Sequence, residues 1–154
     1  MMFGAGFPIR CCAAITLVLA AVAACATPGR EVTVDELKAR VAATSIGERP
    51  KLCLQIAERQ MDEASKLFVS GEIEKAQLPL TDVVAYSELA RDYAIQSHKH
   101  QKQSEIAVRG MARKLTEILH SLTQSDQAPV RNAVQRLQHV RDDLLESMFP
   151  KGMK

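Results

Sequence analysis

The chain lacks most of the motifs on which enzymes and nucleic-acid-binding proteins depend. Its seven glycines are scattered and form no phosphate-binding loop, and neither an HExxH nor a CxxC motif occurs. The net charge of +2 is too small for a dedicated nucleic-acid binder. We therefore predict a protein that is not an enzyme, has no catalytic residue, carries no cofactor and binds no nucleic acid.

Aromatic side chains are also scarce, because the chain has no tryptophan and only 4% aromatic residues. Few large rings favour a core formed between slim helices. Alanine, leucine, glutamate, glutamine, lysine and arginine, which dominate the rest of the sequence, are strong helix formers. The composition therefore predicts an all-α fold.

Cysteine occurs four times, and only Cys53 lies beyond the first 25 residues. A single thiol cannot form an internal disulfide bond. Because Cys53 falls on an apolar helix stripe, we expect a buried, inert thiol rather than a nucleophile.

The first thirty residues are typical of an export signal. Arg10 precedes an apolar run of about 14 residues, which is short for a bilayer span but suits the core of a signal peptide. Small residues follow, and then Thr27, Pro28 and Gly29, which end any helix. We therefore predict export.

Two cleavage sites remain open, and an uncleaved membrane anchor is a third alternative. The sequence Val22-Ala23-Ala24-Cys25 resembles the lipobox of bacterial lipoproteins, which implies a lipid anchor on Cys25 and, with Ala26 next, the outer membrane. Cleavage after Ala26 at an ordinary A-x-A site would instead give a soluble secreted or periplasmic protein. Residues 1–25 are thus the predicted signal peptide, 26–32 a tether, 33–150 a single helical domain and 151–154 a flexible tail.

Turn and cap residues divide the domain into helices. Thr33 and Glu36 predict a capping box at the start of a helix over about 34–44. Pro50 opens a helix that Gly71 closes. A third helix either starts near Thr81 or starts near residue 72 and kinks at Pro79, and we favour the kinked helix. Pro129 opens a last helix, over about 129–148.

The longest helical pattern covers about 80–122 and predicts one continuous helix of roughly 60 Å. Its centre, residues 96–105, has no large apolar residue on any face, so we expect an exposed middle. We predict an elongated helical bundle in which helical hairpins pack on the two ends of this long helix.

A local pattern of small and apolar residues covers about 57–88. It comprises Ala64, Leu67, Gly71, Ile73, Glu74, Ala76 and Leu80. This pattern resembles one tetratricopeptide-type helical hairpin, which implies that small residues allow close helix approach and that glycine ends the first helix. Since no second copy occurs at a fixed period, we expect a hairpin and not a repeat array.

Two groups of residues are candidates for function. The first is a set of cations that could bind an envelope protein or an anionic surface: Lys99, Lys102, Arg109, Arg113 and Lys114. The second is His98 and His100, which are candidate metal ligands, although residues two apart on a helix do not face each other.

Together these observations predict an exported, lipid-anchored, non-enzymatic scaffold or protein-interaction module of the cell envelope. The alternative is a periplasmic helical bundle that binds a small ligand or a metal. A third hypothesis, an accessory subunit of an enzyme, makes the same sequence predictions as the first.

Overall fold

Five α-helices make up the computed structural model of this chain, which describes residues 32–150. Their bounds are Val34–Ala43 (α1), Arg49–Val69 (α2), Ile73–Ser97 (α3), Gln101–Ser121 (α4) and Gln127–Met148 (α5). Because no strand occurs in this range, the predicted all-α helical bundle is confirmed. The predicted signal peptide, Cys25, most of the tether and the tail at 151–154 lie outside the described residues.

The local signals at the helix ends act as the sequence predicts. Thr33 Oγ1 accepts a hydrogen bond from the Glu36 N–H at 3.3 Å, and the Glu36 carboxylate accepts one from the Thr33 N–H at 2.9 Å. Gly71 follows α2 with a φ of 79°, a conformation that glycine adopts without a steric penalty. The third helix runs on through Pro79, as expected.

The prediction of one continuous helix over 80–122 is wrong. The chain reverses between α3 and α4, and His98 and His100 both adopt the left-handed conformation, with φ of 53° and 60°. Neither glycine nor proline marks this turn in the sequence. The physical reason is tertiary: reversal buries Val108, Met111 and Leu115 of α4 in the common core. Each such burial is worth about 1.5–3 kcal/mol, which together exceeds the cost of two left-handed residues.

Two antiparallel hairpins, α2/α3 and α4/α5, therefore pack side by side, and among residues 32–150 α2 makes no contact with α5. The α2/α3 hairpin places α2 beside α4, where Lys114 Nζ lies 2.8 Å from Asp62 Oδ1. It places α3 beside α5, where Arg136 binds the Glu88 carboxylate at 2.7 Å. Residue numbers rise together along each contact, from Glu48–His100 to Asp62–Lys114 and from Glu88–Arg136 to Arg91–Asp143, so α2 is parallel to α4 and α3 is parallel to α5.

The short first helix packs on the outside of this bundle. Leu37 and Val41 are buried, and α1 lies against α2. Lys38 Nζ lies 2.7 Å from Asp82 Oδ2 of α3, and this ion pair is the largest cause of the raised pKa of Lys38. Helix α1 is thus an N-terminal arm that docks on the bundle.

The expectation of an exposed middle segment is met only in part, because Gln96, His98, Lys99, Lys102 and Gln103 are exposed but the end of the segment is buried. Ser104 is fully buried and Glu105 is 7% exposed, although both belong to the polar stretch 96–105. The turn places this stretch at the end of the bundle, where the first residues of α4 pack against neighbouring helices. Glu105 is paired there, since Arg141 Nε of α5 lies 3.1 Å from Glu105 Oε1.

Candidate partner-binding face of the fourth helix

The five predicted cations do not form one cluster. Lys99 lies in the turn, where its side chain packs closely over Gly47, because a Cβ at that glycine would lie 2.9 Å from Lys99 Cδ. Lys114 turns toward α2 and pairs with Asp62. The other three cations, Lys102, Arg109 and Arg113, lie on the solvent-facing side of α4. The candidate site therefore reduces to one helix face.

Helical spacing explains why these three side chains share a face. Positions 102, 109 and 113 are separated by seven and four residues, so they recur on one side of a helix. The opposite side carries Val108, Met111 and Leu115, which are buried in the core. The core thus fixes the rotation of α4, and with it the direction of the basic face.

Two of the three outer cations have no partner among residues 32–150. Lys102 and Arg113 make neither an ion pair nor a hydrogen bond within this range, and both are exposed. Arg109 Nε lies 3.6 Å from Glu105 Oε1, but its side chain stays 58% exposed. The face therefore keeps positive charge that is available to an external anion.

An apolar side chain lies in the middle of these charges. Ile106 is 49% exposed. It borders a shallow depression of about 340 Å³ together with Arg109, Gly110 and Arg113. We call the surface formed by Lys102, Ile106, Arg109, Gly110 and Arg113 the α4 outer face.

Gly110 leaves the backbone of α4 uncovered within this face. A Cβ placed there would have no heavy atom within 4 Å outside the backbone of its own helix. Glycine in a helix interior costs about 0.5–1 kcal/mol relative to alanine, and no contact in residues 32–150 requires it. A bare backbone beside an exposed isoleucine permits close approach of another molecule.

A groove between α2 and α4 adjoins the outer face and also contains Ile106 and Gly110. Its volume is about 390 Å³. Its far wall is acidic, because Glu58 and Asp62 of α2 line it. Burial and the charge of Asp62 raise the pKa of Glu58. The groove thus separates a basic helix face from an acidic one.

The two candidate metal ligands lie in the turn that precedes α4. His98 is exposed, whereas His100 Nε2 is buried, has no hydrogen-bond partner and lies 3.5 Å from Glu48 Oε1. The pKa of Glu48 is lowered, chiefly by its hydrogen bond to Lys51 and secondarily by His100. No group of three metal-ligating side chains occurs among residues 32–150, so the structure assembles no complete metal site from this pair.

Cys53 is fully buried in α2, and burial raises its pKa to about 11. A thiol of this kind is a poor nucleophile, because the thiolate is the reactive form.

Ile106 and Gly110 were not among the functional residues predicted from the sequence. Their signals were present: an isoleucine outside the apolar stripe of α4, and an isolated glycine in a helix interior. Both signals can be interpreted only when the orientation of α4 relative to the core is known. The incorrect prediction of one long helix did not give this orientation.

Comparisons with protein-family models, with curated proteins and with solved structures found no match to this chain. In the part of the chain that the structure describes, no helix combines the length and the apolar composition needed to cross a membrane.

Proposed function

We propose that this chain is an exported, lipid-anchored, non-enzymatic interaction module of the cell envelope, and that the α4 outer face binds an anionic surface. The observation that carries the proposal is the unpaired charge of Lys102 and Arg113 around the exposed Ile106. Three cations around an apolar side chain suit a surface that offers both anionic groups and apolar atoms.

A bilayer containing anionic lipids has this chemistry, since its headgroups carry the charge and its acyl boundary accepts an aliphatic side chain. The lipobox-like sequence ending at Cys25 supports the same location. The seven residues 26–32 reach at most about 25 Å when extended. A lipid on Cys25 would therefore hold the bundle close to the membrane surface.

The position of Val32, the last residue of the predicted tether, supports the proposal that the α4 outer face lies near the membrane. The carbonyl of Val32 accepts a hydrogen bond from Arg59 of α2. The neighbouring Glu58 lines the groove whose other wall contains Ile106 and Gly110. Val32, the last residue of the predicted tether, thus contacts α2, which lies beside α4.

Vesicle binding tests the proposal. Residues 26–154, which lack the predicted signal peptide and Cys25, are titrated with phosphatidylglycerol/phosphatidylcholine vesicles and with phosphatidylcholine vesicles. The test variant combines Lys102→Gln, Arg109→Gln and Arg113→Gln. At about 1 kcal/mol for each cation near an anionic membrane, it should bind anionic vesicles about a hundred-fold more weakly.

A charge-matched control separates a specific face from net charge. Arg40, Lys66 and Arg131 are exposed and lie on three other helices, so the combination Arg40→Gln, Lys66→Gln and Arg131→Gln removes the same charge. We expect the control to bind nearly as well as the parent. The assignment of this face would be contradicted if the control variant lost as much affinity for anionic vesicles as the test variant. Equal affinity of the parent for both kinds of vesicle would also contradict it.

A further inference from the structure

The turn between α3 and α4 carries an unusual concentration of unfavourable local structure. His98 and His100 both adopt the left-handed conformation, which costs a residue other than glycine about 1–2 kcal/mol. His100 Nε2 is also buried, and the carboxylate of Glu48 that faces it lies 3.5 Å away, too far for a good hydrogen bond. Three residues, 98–100, thus hold two helices apart at a clear local cost.

The helix ends at this turn are poorly satisfied as well. No side chain within residues 32–150 caps the first N–H groups of α4. The left-handed His98 ends α3 with a single backbone bond to the Ile95 carbonyl, at 3.3 Å. If 98–100 became helical, α3 and α4 would join, and the unpaired groups at both ends would bond to each other.

The sequence on both sides favours that joined helix, because residues 80–109 contain neither proline nor glycine. What opposes it is the packing between hairpins, which buries α4 against α2 and α5 against α3. Each hairpin keeps its own internal packing when the turn straightens. The lost contacts can be restored only by a complementary hairpin, and a second copy of this chain supplies it.

We propose that the chain forms a domain-swapped dimer in which residues 73–121 become one continuous helix and the α2/α3 hairpin of each copy packs on the α4/α5 hairpin of the other. Such a helix of 49 residues would be about 73 Å long. Every inter-hairpin contact of the monomer recurs between copies, and only the turn changes. Short strained connections are known to promote swapping of this kind.

Two matched double variants at the turn test the energetic argument. His98→Gly/His100→Gly suits the left-handed turn and disfavours the helix, whereas His98→Ala/His100→Ala does the reverse. Light scattering after size-exclusion chromatography gives the dimer fraction after refolding at matched concentrations. The dimer dissociation constants should differ by more than about a thousand-fold, with the alanine variant the stronger dimer.

Zero-length crosslinking with a carbodiimide identifies the swap in the full chain. Isotopically heavy and light chains are unfolded together, refolded and crosslinked. Lys114 and Asp62 lie 2.8 Å apart and belong to different hairpins, so a swapped dimer joins heavy to light chains at this pair. Lys38 and Asp82 lie 2.7 Å apart on the same side of the turn, and their crosslink stays within one chain in either form.

Mixed-isotope crosslinks at the first pair and none at the second would support the proposal. A folded alanine variant that stays monomeric would overturn it, and so would a dimer without mixed crosslinks between Lys114 and Asp62. If the alanine variant loses its helical circular dichroism, the glycine variant is compared with the wild type instead. The glycine variant should then form less dimer than the wild type after refolding at high concentration. Equal dimer fractions in these two proteins would refute the proposal.

Discussion

Replacing Arg141 with alanine should destabilise the bundle more than replacing its partner Glu105. Glu105 is the buried member, since its side chain is 9% exposed while that of Arg141 is 39% exposed. Removal of the arginine leaves a buried carboxylate with only Arg109, whose Nε is 3.6 Å away. Removal of the glutamate leaves two arginines that water can reach.

The magnitudes follow from this asymmetry. Breaking a fully buried pair costs about 3–5 kcal/mol, and the remaining Arg109 and the partial exposure of Arg141 reduce this to about 2–3 kcal/mol for Arg141→Ala. Glu105→Ala should cost about 1 kcal/mol or less. The double variant should resemble Glu105→Ala, which gives a coupling energy of about 2–3 kcal/mol between the two residues.

Urea unfolding followed by far-ultraviolet circular dichroism measures all three variants. Arg136→Ala is the matched control, because the Arg136–Glu88 pair also joins two helices but is 49% and 30% exposed. The control should cost at most about 1 kcal/mol. Equal losses for Arg141→Ala and Arg136→Ala, or a larger loss for Glu105→Ala than for Arg141→Ala, would refute the reasoning.

Two further predictions concern Cys53 and the glycines. Burial raises the pKa of Cys53 from 9.0 to about 11, so the thiol keeps its proton to a higher pH in the folded state than in the unfolded state. The free energy of unfolding should therefore fall by about 2–3 kcal/mol as the pH rises from about 9 to about 11. Cys53→Ala should remove this part of the pH dependence in urea unfolding, and an unchanged slope would contradict the assignment. Gly110→Ala should stabilise the fold by about 0.5–1 kcal/mol, whereas Gly71→Ala, at a φ of 79°, should destabilise it by about 1 kcal/mol. If both variants shift the melting temperature in the same direction, the conformation assigned to one of the two glycines is wrong.

The sequence predicted those features of the fold that depend on neighbouring residues. The capping box at Thr33 and Glu36, the left-handed Gly71 and the apolar stripe of α5 all follow from local rules. The turn at His98 and His100 does not, because its residues favour a helix and only the burial of α4 against other helices outweighs that preference. Local periodicity contains no information about such long-range packing.

The same limit applied to the candidate site. The sequence placed five cations on one helix, but the fold directs Lys114 to Asp62 and Lys99 to the turn. Which cations remain free depends on the rotation of α4 in the core and on the neighbouring helix. The burial of Glu105 was hidden for the same reason, because its partner Arg141 lies 36 residues away in the chain.

Metabolic labelling with a radioactive or alkyne-tagged fatty acid tests the proposed membrane anchor most directly. The full chain and its Cys25→Ala variant are expressed in a bacterium that processes lipoproteins, with and without the lipoprotein signal-peptidase inhibitor globomycin. We predict label on the wild-type chain, none on the variant, and an unprocessed precursor when the inhibitor is present. A wild-type chain that is exported without label, or one that is labelled equally in the Cys25→Ala variant, would contradict the account.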